Sequence, residues 1–139
     1  MNALAAARAL LNATRVGDEQ RLWQLFSPAA KGRIIDVGEQ QGLPADVAGR
    51  LRTETASAEE MDAFLVDVLE GIRRDLEWST LSRLDVELMN ESEEAARVAL
   101  VEPLAIPLPG TAGGLPAAWL TLSPIAEIWL IDDIELPSR

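Results

Sequence analysis

The chain has 139 residues and carries 12 basic against 23 acidic side chains, a formal net charge of −11, with no histidine, cysteine or tyrosine. This length predicts a single domain over residues 1–139. The missing residue types exclude disulfides, thiolate nucleophiles, histidine-dependent triads and metal sites built on cysteine or histidine.

The acidic excess argues against nucleic-acid binding, because contact with a phosphate backbone needs a basic face. No apolar run reaches the length of a membrane span, so we expect no membrane contact. The N-terminal segment lacks the charged-then-apolar order of a signal peptide, because Arg8 follows an apolar run. We therefore expect a cytoplasmic protein.

The first part of the chain predicts consecutive helices. Asn2 can cap a helix with a 3.6-residue apolar stripe, and Gly17 ends it. Asp18 caps the next helix. Ser27 followed by Pro28 is typical of the start of a helix. The third helix begins here and ends near residue 42.

The clearest helix comes after a short helical turn expected over Asp46–Leu51. Ser57 and Glu60 have the spacing of a capping box. Behind them, apolar residues recur at spacings of three and four and predict a long amphipathic helix that must cover another part of the molecule. These residues are Met61, Phe64, Leu65, Val68, Leu69, Ile72 and Leu76.

From Trp78 onward the pattern changes to a period of two, which favours strands. Leu84, Val86 and Leu88 alternate with charged residues, so the first strand should have one buried and one exposed face. Further strands are expected over Ala95–Val101, Ala117–Leu122 and Ile125–Leu136, with a turn at 90–93.

Two features interrupt this strand pattern. The segment 103–116, rich in proline and glycine, is too long for a tight turn and is interpreted as a loop, either functional or merely mobile. Pro124 predicts a break or an edge, because it has no amide to donate. The last strand is apolar on both faces over Ile128–Ile131, so we expect it in the centre of the sheet.

Helices followed by antiparallel strands indicate the α+β class. Consecutive strands joined by turns usually pair in chain order, so we expect N-terminal helices packed on an antiparallel sheet of about four strands.

Two segments resemble a known superfamily. Residues 9–28 contain a helix, a Gly-Asp turn and a second helix that ends in Phe-Ser-Pro. Trp129–Ile134 combines an aromatic residue, alternating aliphatic residues and a polar pair. This arrangement resembles the nuclear-transport-factor-two-like (cystatin-like cone) proteins. Unlike most members, the chain reads as helical over 31–55 and has Ser123–Glu127 where an Asp-Gly turn is usual.

The resemblance implies a curved, cone-like sheet whose concave face, covered by helices, can hold a small apolar ligand. Some aromatic side chains would then line this pocket, although the same residues would also suit a core. The candidates are Trp23, Phe26, Trp78, Trp119 and Trp129. The tyrosine- and histidine-based sites of the related isomerases and dehydratases cannot be built here, because the chain has neither residue.

Asp132 is the candidate acid for such a pocket. Strict alternation places it on the same face as Ile128, Leu130 and Ile134, where a carboxylate is costly unless paired. The alternative is that Asp132 is simply solvated at the end of the strand. Alternation also turns Asp133 to the other face, so the pair should not share a proton or a metal. We predict no metal site and no cofactor.

The function favoured by these patterns is non-catalytic: a cone-fold domain that binds a small apolar ligand or acts through protein contacts. The two-faced apolar segment of the last strand favours a homodimer formed through sheet faces. One alternative is a cone-type isomerase or hydrolase on a small hydrophobic substrate, with Asp132 as its catalytic candidate. Another is an acidic interaction protein, such as an antitoxin or immunity partner, that binds a basic protein.

Overall fold

Helices form the N-terminal part of the molecule and one antiparallel sheet forms the C-terminal part. The computed structural model describes residues 2–76, 81–103 and 114–137. Its elements are α1 (Ala3–Val16), α2 (Glu19–Gln24), α3 (Pro28–Gln40), α4 (Ala45–Arg52), α5 (Ala58–Asp75), β1 (Asp85–Glu91), β2 (Ala96–Pro103), β3 (Gly114–Ile125) and β4 (Ile128–Glu135). The expected α+β architecture is confirmed.

The first helix boundaries lie where the capping residues predict them. The side chain of Asn2 accepts the amide of Ala5 at 2.8 Å, and Gly17 ends α1 in the left-handed conformation with φ 77°. Asp18 caps α2 and Ser27 caps α3, each accepting the amide three residues ahead. Each cap satisfies an amide that has no partner inside its helix.

The capping box at the start of α5 also joins two helices. Ser57 Oγ accepts the amide of Glu60 at 3.2 Å, and Glu60 Oε1 accepts the amide of Ser57 at 3.1 Å. Arg50 of α4 donates from Nε to the same carboxylate oxygen at 3.0 Å. The predicted cap is therefore confirmed, and its glutamate also anchors α4, which forms where a helical turn was expected.

The sheet has the order β1-β2-β3-β4, with antiparallel pairing throughout, and remains open. The prediction that the last strand is central was wrong, since β4 is an edge. Its outer edge is partly covered by the connection between α2 and α3. The amide of Ile131 donates to the carbonyl of Leu25 at 2.8 Å, and the amide of Ser27 donates to the carbonyl of Ile131 at 2.9 Å. This cover lets an apolar strand occupy an edge.

The expected loop needs correction, whereas the edge expected at Pro124 is confirmed, since in the described part of the chain β3 has no partner on its β2 side there. β2 continues to Pro103, which pairs with Gly114 at the start of β3, so only 104–113 of the expected loop lies outside the described residues. Pro124 does not break β3 and pairs with Trp129 of β4. β2 begins opposite Leu122, so Pro124 lies beyond it and its missing amide interrupts no pairing on that side.

The expected face of the last strand was also wrong. Leu122 pairs with Ile131, whereas the preceding Thr121 pairs with Asp133, so Asp132 is the extra residue of a β-bulge. Ile131 is fully buried, and Ile128 is 55% exposed. Ile128 and Ile131 lie on opposite faces by regular alternation, and the bulge acts only beyond Ile131. It places Ile134, the partner of Leu120, on the same face as Ile131, whereas strict alternation placed it with Ile128.

The main core lies between the sheet and α1. This helix contacts all four strands. Small side chains on its buried face, among them Ala3, Ala6 and Ala7, let its backbone approach the sheet closely. The sheet contributes fully buried aliphatic residues, including Val98, Leu100, Leu120, Leu122 and Ile131. Close packing here leaves this face of the sheet covered by α1.

Helix α5 packs outside this layer, against α1 and α2. Arg73 of α5 donates to the carbonyls of Thr14 at 2.9 Å and Arg15 at 3.2 Å, where α1 ends and its last carbonyls lack helical partners. Among the helices described, none is both long and apolar enough to cross a membrane.

Candidate functional site

An open groove of about 910 Å³ separates α3 from α5, and the C-terminal part of β4 lies at one end of it. The two helices have different packing partners. α3 packs on α4 and β4, whereas α5 packs on α1 and α2. Because α3 and α5 rest on different elements, a space remains between them, and both helices border it.

The α5 side of the groove consists of parallel rows of side chains. Leu65, Leu69 and Leu76 are buried in the core. The adjacent row, Phe64, Val68 and Ile72, lies four residues apart and forms the apolar wall of the groove. The predicted apolar stripe of α5 is thus wider than the row of leucines buried in the core. Its adjacent row, Phe64, Val68 and Ile72, borders the groove.

The outer row of α5 combines charge with a missing side chain. Asp67, Gly71 and Asp75 are four residues apart, with Glu70 and Arg74 beside them, and all five line the groove. A Cβ on Gly71 would meet only the Nη2 atom of Arg74, at 3.8 Å. The glycine therefore leaves an opening between two carboxylates.

The α3 side repeats this arrangement. Ala30, Ile34 and Gly38 form one row at four-residue spacing, and the outer row contains Arg33 and Val37. A Cβ on Gly38 would lie 3.3 Å from Leu43 Cδ2 and 3.5 Å from Phe64 Cε1, so this glycine permits close packing at the base of the groove. Both walls are consequently apolar inside, and each outer row carries charge.

An aromatic cluster supports the inner wall. Phe26 and Phe64 line the groove, and Trp23 lies behind them. The rings of Trp23 and Phe64 meet edge to face at 5.3 Å, and those of Trp23 and Phe26 at 6.4 Å with an angle of 60°. Such contacts favour a rigid wall.

The β4 end of the groove is organised by the bulge. Arg33 donates to the carbonyl of Asp132, the bulged residue, and so links α3 to β4. Asp132 and Asp133 both line the groove, and the side chain of Asp132 is half-buried. The simple alternation that separated the two aspartates does not hold at a bulge.

The structure distributes the predicted site residues over different places. Phe26 and Asp132 line the groove, and Trp23 lies directly behind it. Trp129 packs against the core without lining the groove. Trp119 lies on the other face of the sheet, where the guanidinium of Arg97 is 5.5 Å from its ring centre. Trp78 lies outside the described residues.

The groove offers binding surface and carboxylates. In the described ranges, no group of three or more acidic side chains is placed to hold a metal ion. The ionisable residues that line it are aspartate, glutamate and arginine. Asp132 is therefore the member of the predicted set with a titratable group at the groove.

A strong electrostatic perturbation occurs elsewhere. The hydrogen bond from Arg50, followed by the backbone hydrogen bond from Ser57, lowers the pKa of Glu60 to about 2. The same contact raises the pKa of Arg50. Neither residue lines the groove. This ion pair fixes α4 against α5 and is not part of the candidate site.

Sequence reasoning did not find most of the groove-lining residues. It assigned Val68 and Ile72 to one stripe with the buried leucines, and it did not single out Gly38 or Gly71. Helix-interior glycines were a partial signal, because glycine costs stability there relative to alanine. Gly38 and Gly71 line the groove, but Gly32 and Gly49, also in described helices, do not.

No protein-family model, curated protein or solved structure matches this chain.

Proposed function

We propose that this protein is a non-catalytic cone-type domain that binds a small apolar ligand in the groove between α3 and α5. The observation that carries the proposal is the groove itself, whose volume of about 910 Å³ lies within the size range of ligand pockets, roughly 300–1,000 Å³. Apolar side chains form both inner walls, as is usual for sites that bind by burial of apolar surface.

The distribution of polar groups supports binding rather than catalysis. The chain has no histidine, cysteine or tyrosine to act as a base or nucleophile at the groove. The carboxylates occupy the outer row of α5 and the end of β4, while the inner walls carry Ile34, Val68 and Ile72. This separation suits an occupant with an apolar body and a solvent-facing end.

The test uses N-phenyl-1-naphthylamine, an uncharged dye that fluoresces in apolar sites. Gly71→Leu would place a side chain in the groove, where a Cβ meets only the flexible end of Arg74. Gly32→Leu is the matched control, because Gly32 lies on α3 outside the groove with nothing within 4 Å of a Cβ.

We expect wild type and Gly32→Leu to bind the dye equally. Gly71→Leu should bind it at least about tenfold more weakly, because the added side chain would cost the dye one or two buried aliphatic contacts in the groove. Equal binding by all three proteins, or no binding by wild type, would contradict the proposal. Far-UV circular dichroism checks that both variants are folded.

We also propose that the protein forms a homodimer through the sheet face opposite α1. On this side Ile128 is 55% exposed and Ile125, its cross-strand partner, is 41% exposed. Leu130 and Trp119 add half-buried apolar surface. Exposed apolar side chains on this face of the sheet support a protein contact.

A further inference from the structure

We propose that the groove selects a cationic amphiphile: a ligand with an aliphatic or aromatic body and a protonated or quaternary amine at one end. This inference rests on the proposed function, since it specifies the occupant of the same groove. The apolar walls would bind the body, and the charges along the border would bind the head.

The charge at the border of the groove is strongly unbalanced. Five carboxylates line it against the guanidiniums of Arg33 and Arg74. The five belong to Asp67, Glu70, Asp75, Asp132 and Asp133; we call them the acidic border. Three come from the outer side of α5 and two from the C-terminal part of β4, so two elements contribute carboxylates to the border.

The carboxylates of the acidic border also lack direct partners. Among the described residues, none of its five carboxylates has an ion pair or a side-chain hydrogen bond. Arg33 and Arg74 offset part of this charge, because a guanidinium stays ionised, and Arg33 donates to the backbone carbonyl of Asp132. Five carboxylates against two guanidiniums still leave the border net negative. A cation placed here would meet carboxylates that are not already engaged.

Elsewhere some arginines of the protein pair with carboxylates. Arg52 contacts Asp36 at 2.6 Å, and Arg83 contacts Glu102 at 2.9 Å. Arg97 contacts Glu135 at 3.1 Å. Carboxylates outside the groove, such as that of Asp62, also lack an ion pair in the described residues. The groove differs from these surfaces because its carboxylates border apolar walls.

The dimensions favour a small molecule over a protein segment. The groove volume of about 910 Å³ suits a ligand of several tens of atoms, within the range of small-molecule sites. Apolar contacts would supply most of the affinity, while the acidic border would decide between head groups by attraction or repulsion.

The experiment compares three compounds that share a ten-carbon chain and differ in head group. Decyltrimethylammonium, decyl sulfate and 1-decanol, each below its micellar concentration, compete with N-phenyl-1-naphthylamine for wild-type protein. We expect the cation to displace the dye at roughly tenfold lower concentration than the sulfate at low salt, as two or three exposed charge contacts allow. In about 0.5 M salt this preference should largely disappear.

Matched variants distinguish the effect of the acidic border on head-group preference from the effect of the net charge of the whole protein. Asp67→Asn combined with Glu70→Gln removes two charges from the acidic border, whereas Glu59→Gln combined with Asp62→Asn removes two exposed charges from the same helix outside the groove. We expect the first pair to reduce the preference for the cation severalfold and the second to leave it nearly unchanged.

Three outcomes would overturn the inference. If the three compounds compete equally, the groove binds apolar ligands without charge selection, and the proposed function stands alone. If both double variants lose the preference equally, it reflects the net charge of the whole chain. A basic amphipathic peptide serves as a fourth competitor; if it alone displaces the dye, the occupant is a protein segment. Absence of dye binding by wild type would instead contradict the proposed function itself.

Discussion

At the scale of single residues, several side chains act as connectors between elements rather than as surface charges. Arg73 holds the last carbonyls of α1, and Arg15 in turn donates from Nε to the carbonyl of Leu81 at 3.1 Å and from Nη2 to that of Leu84. These contacts run from α5 through the end of α1 to the start of the sheet. Glu60 has a similar connecting role between α4 and α5.

Glu60 gives a prediction about pH. Its pKa of about 2 in the folded protein lies below the ordinary value of 4.5, because the contact with Arg50 favours the charged form. Its contribution to stability is therefore complete above the ordinary pKa and is lost as the pH falls toward 2. We expect the stability difference between wild type and Glu60→Gln to shrink over this interval, measured by thermal unfolding from pH 6 to pH 2.

Asp62→Asn serves as the control for this experiment, because Asp62 lies on the same helix and is exposed without an ion pair in the described ranges. Its difference from wild type should change less over the same interval. A Glu60→Gln protein whose stability stays parallel to that of wild type down to pH 2 would contradict the assigned role of the Arg50 contact.

At the scale of elements, β4 is shaped by two local deviations from regular geometry. The bulge at Asp132 resets the alternation, and the β3–β4 hairpin turns through Ala126 and Glu127 with φ of 51° and 68°. Two consecutive residues with positive φ are typical of a two-residue type I′ turn. Neither residue is glycine or asparagine, so this turn adopts a conformation that its sequence disfavours.

This turn predicts a stabilising change. Replacing Ala126 by Asn and Glu127 by Gly should raise the free energy of unfolding by about 1 kcal/mol, because both new residues tolerate positive φ at lower cost. Urea denaturation measures the change. Ala126→Val is the opposing control and should destabilise the protein, since β-branched residues adopt positive φ poorly. A double variant no more stable than wild type would contradict this description of the hairpin.

At the scale of the whole molecule, the protein has two surfaces with different expected roles. The groove lies on the helical side, and the apolar patch around Ile128 lies on the opposite face of the sheet. Ligand binding and dimer formation could therefore occur together without competing for the same residues.

The dimer proposal predicts a concentration-dependent mass. At micromolar concentration, sedimentation equilibrium should give twice the mass of the chain for wild type, and Ile128→Glu should give the monomer because it introduces a charge at the apolar patch. Val16→Glu is the control, since Val16 is 77% exposed at the end of α1, away from this face. A wild-type protein that stays monomeric would remove the proposal.

Helix boundaries and strand order could be predicted because they depend on local chemistry. Caps such as Asn2, Ser27 and Ser57 satisfy amides within three residues, so their effect can be read from a short segment. The groove could be predicted only in part. Phe26 and Asp132 were candidates, but Val68 and Gly71 border it because α5 rests on α1 and α2 while α3 rests on α4 and β4.

The amino-acid sequence by itself determined the α+β class, the helix starts and the antiparallel pairing in chain order, because each follows from periodicity and from hydrogen bonds between near neighbours. Only the tertiary structure decided that β4 is an edge strand, that Asp132 is bulged and that an acidic border flanks an apolar groove. These features depend on contacts between residues about a hundred positions apart, such as Arg33 with Asp132, which no local pattern records.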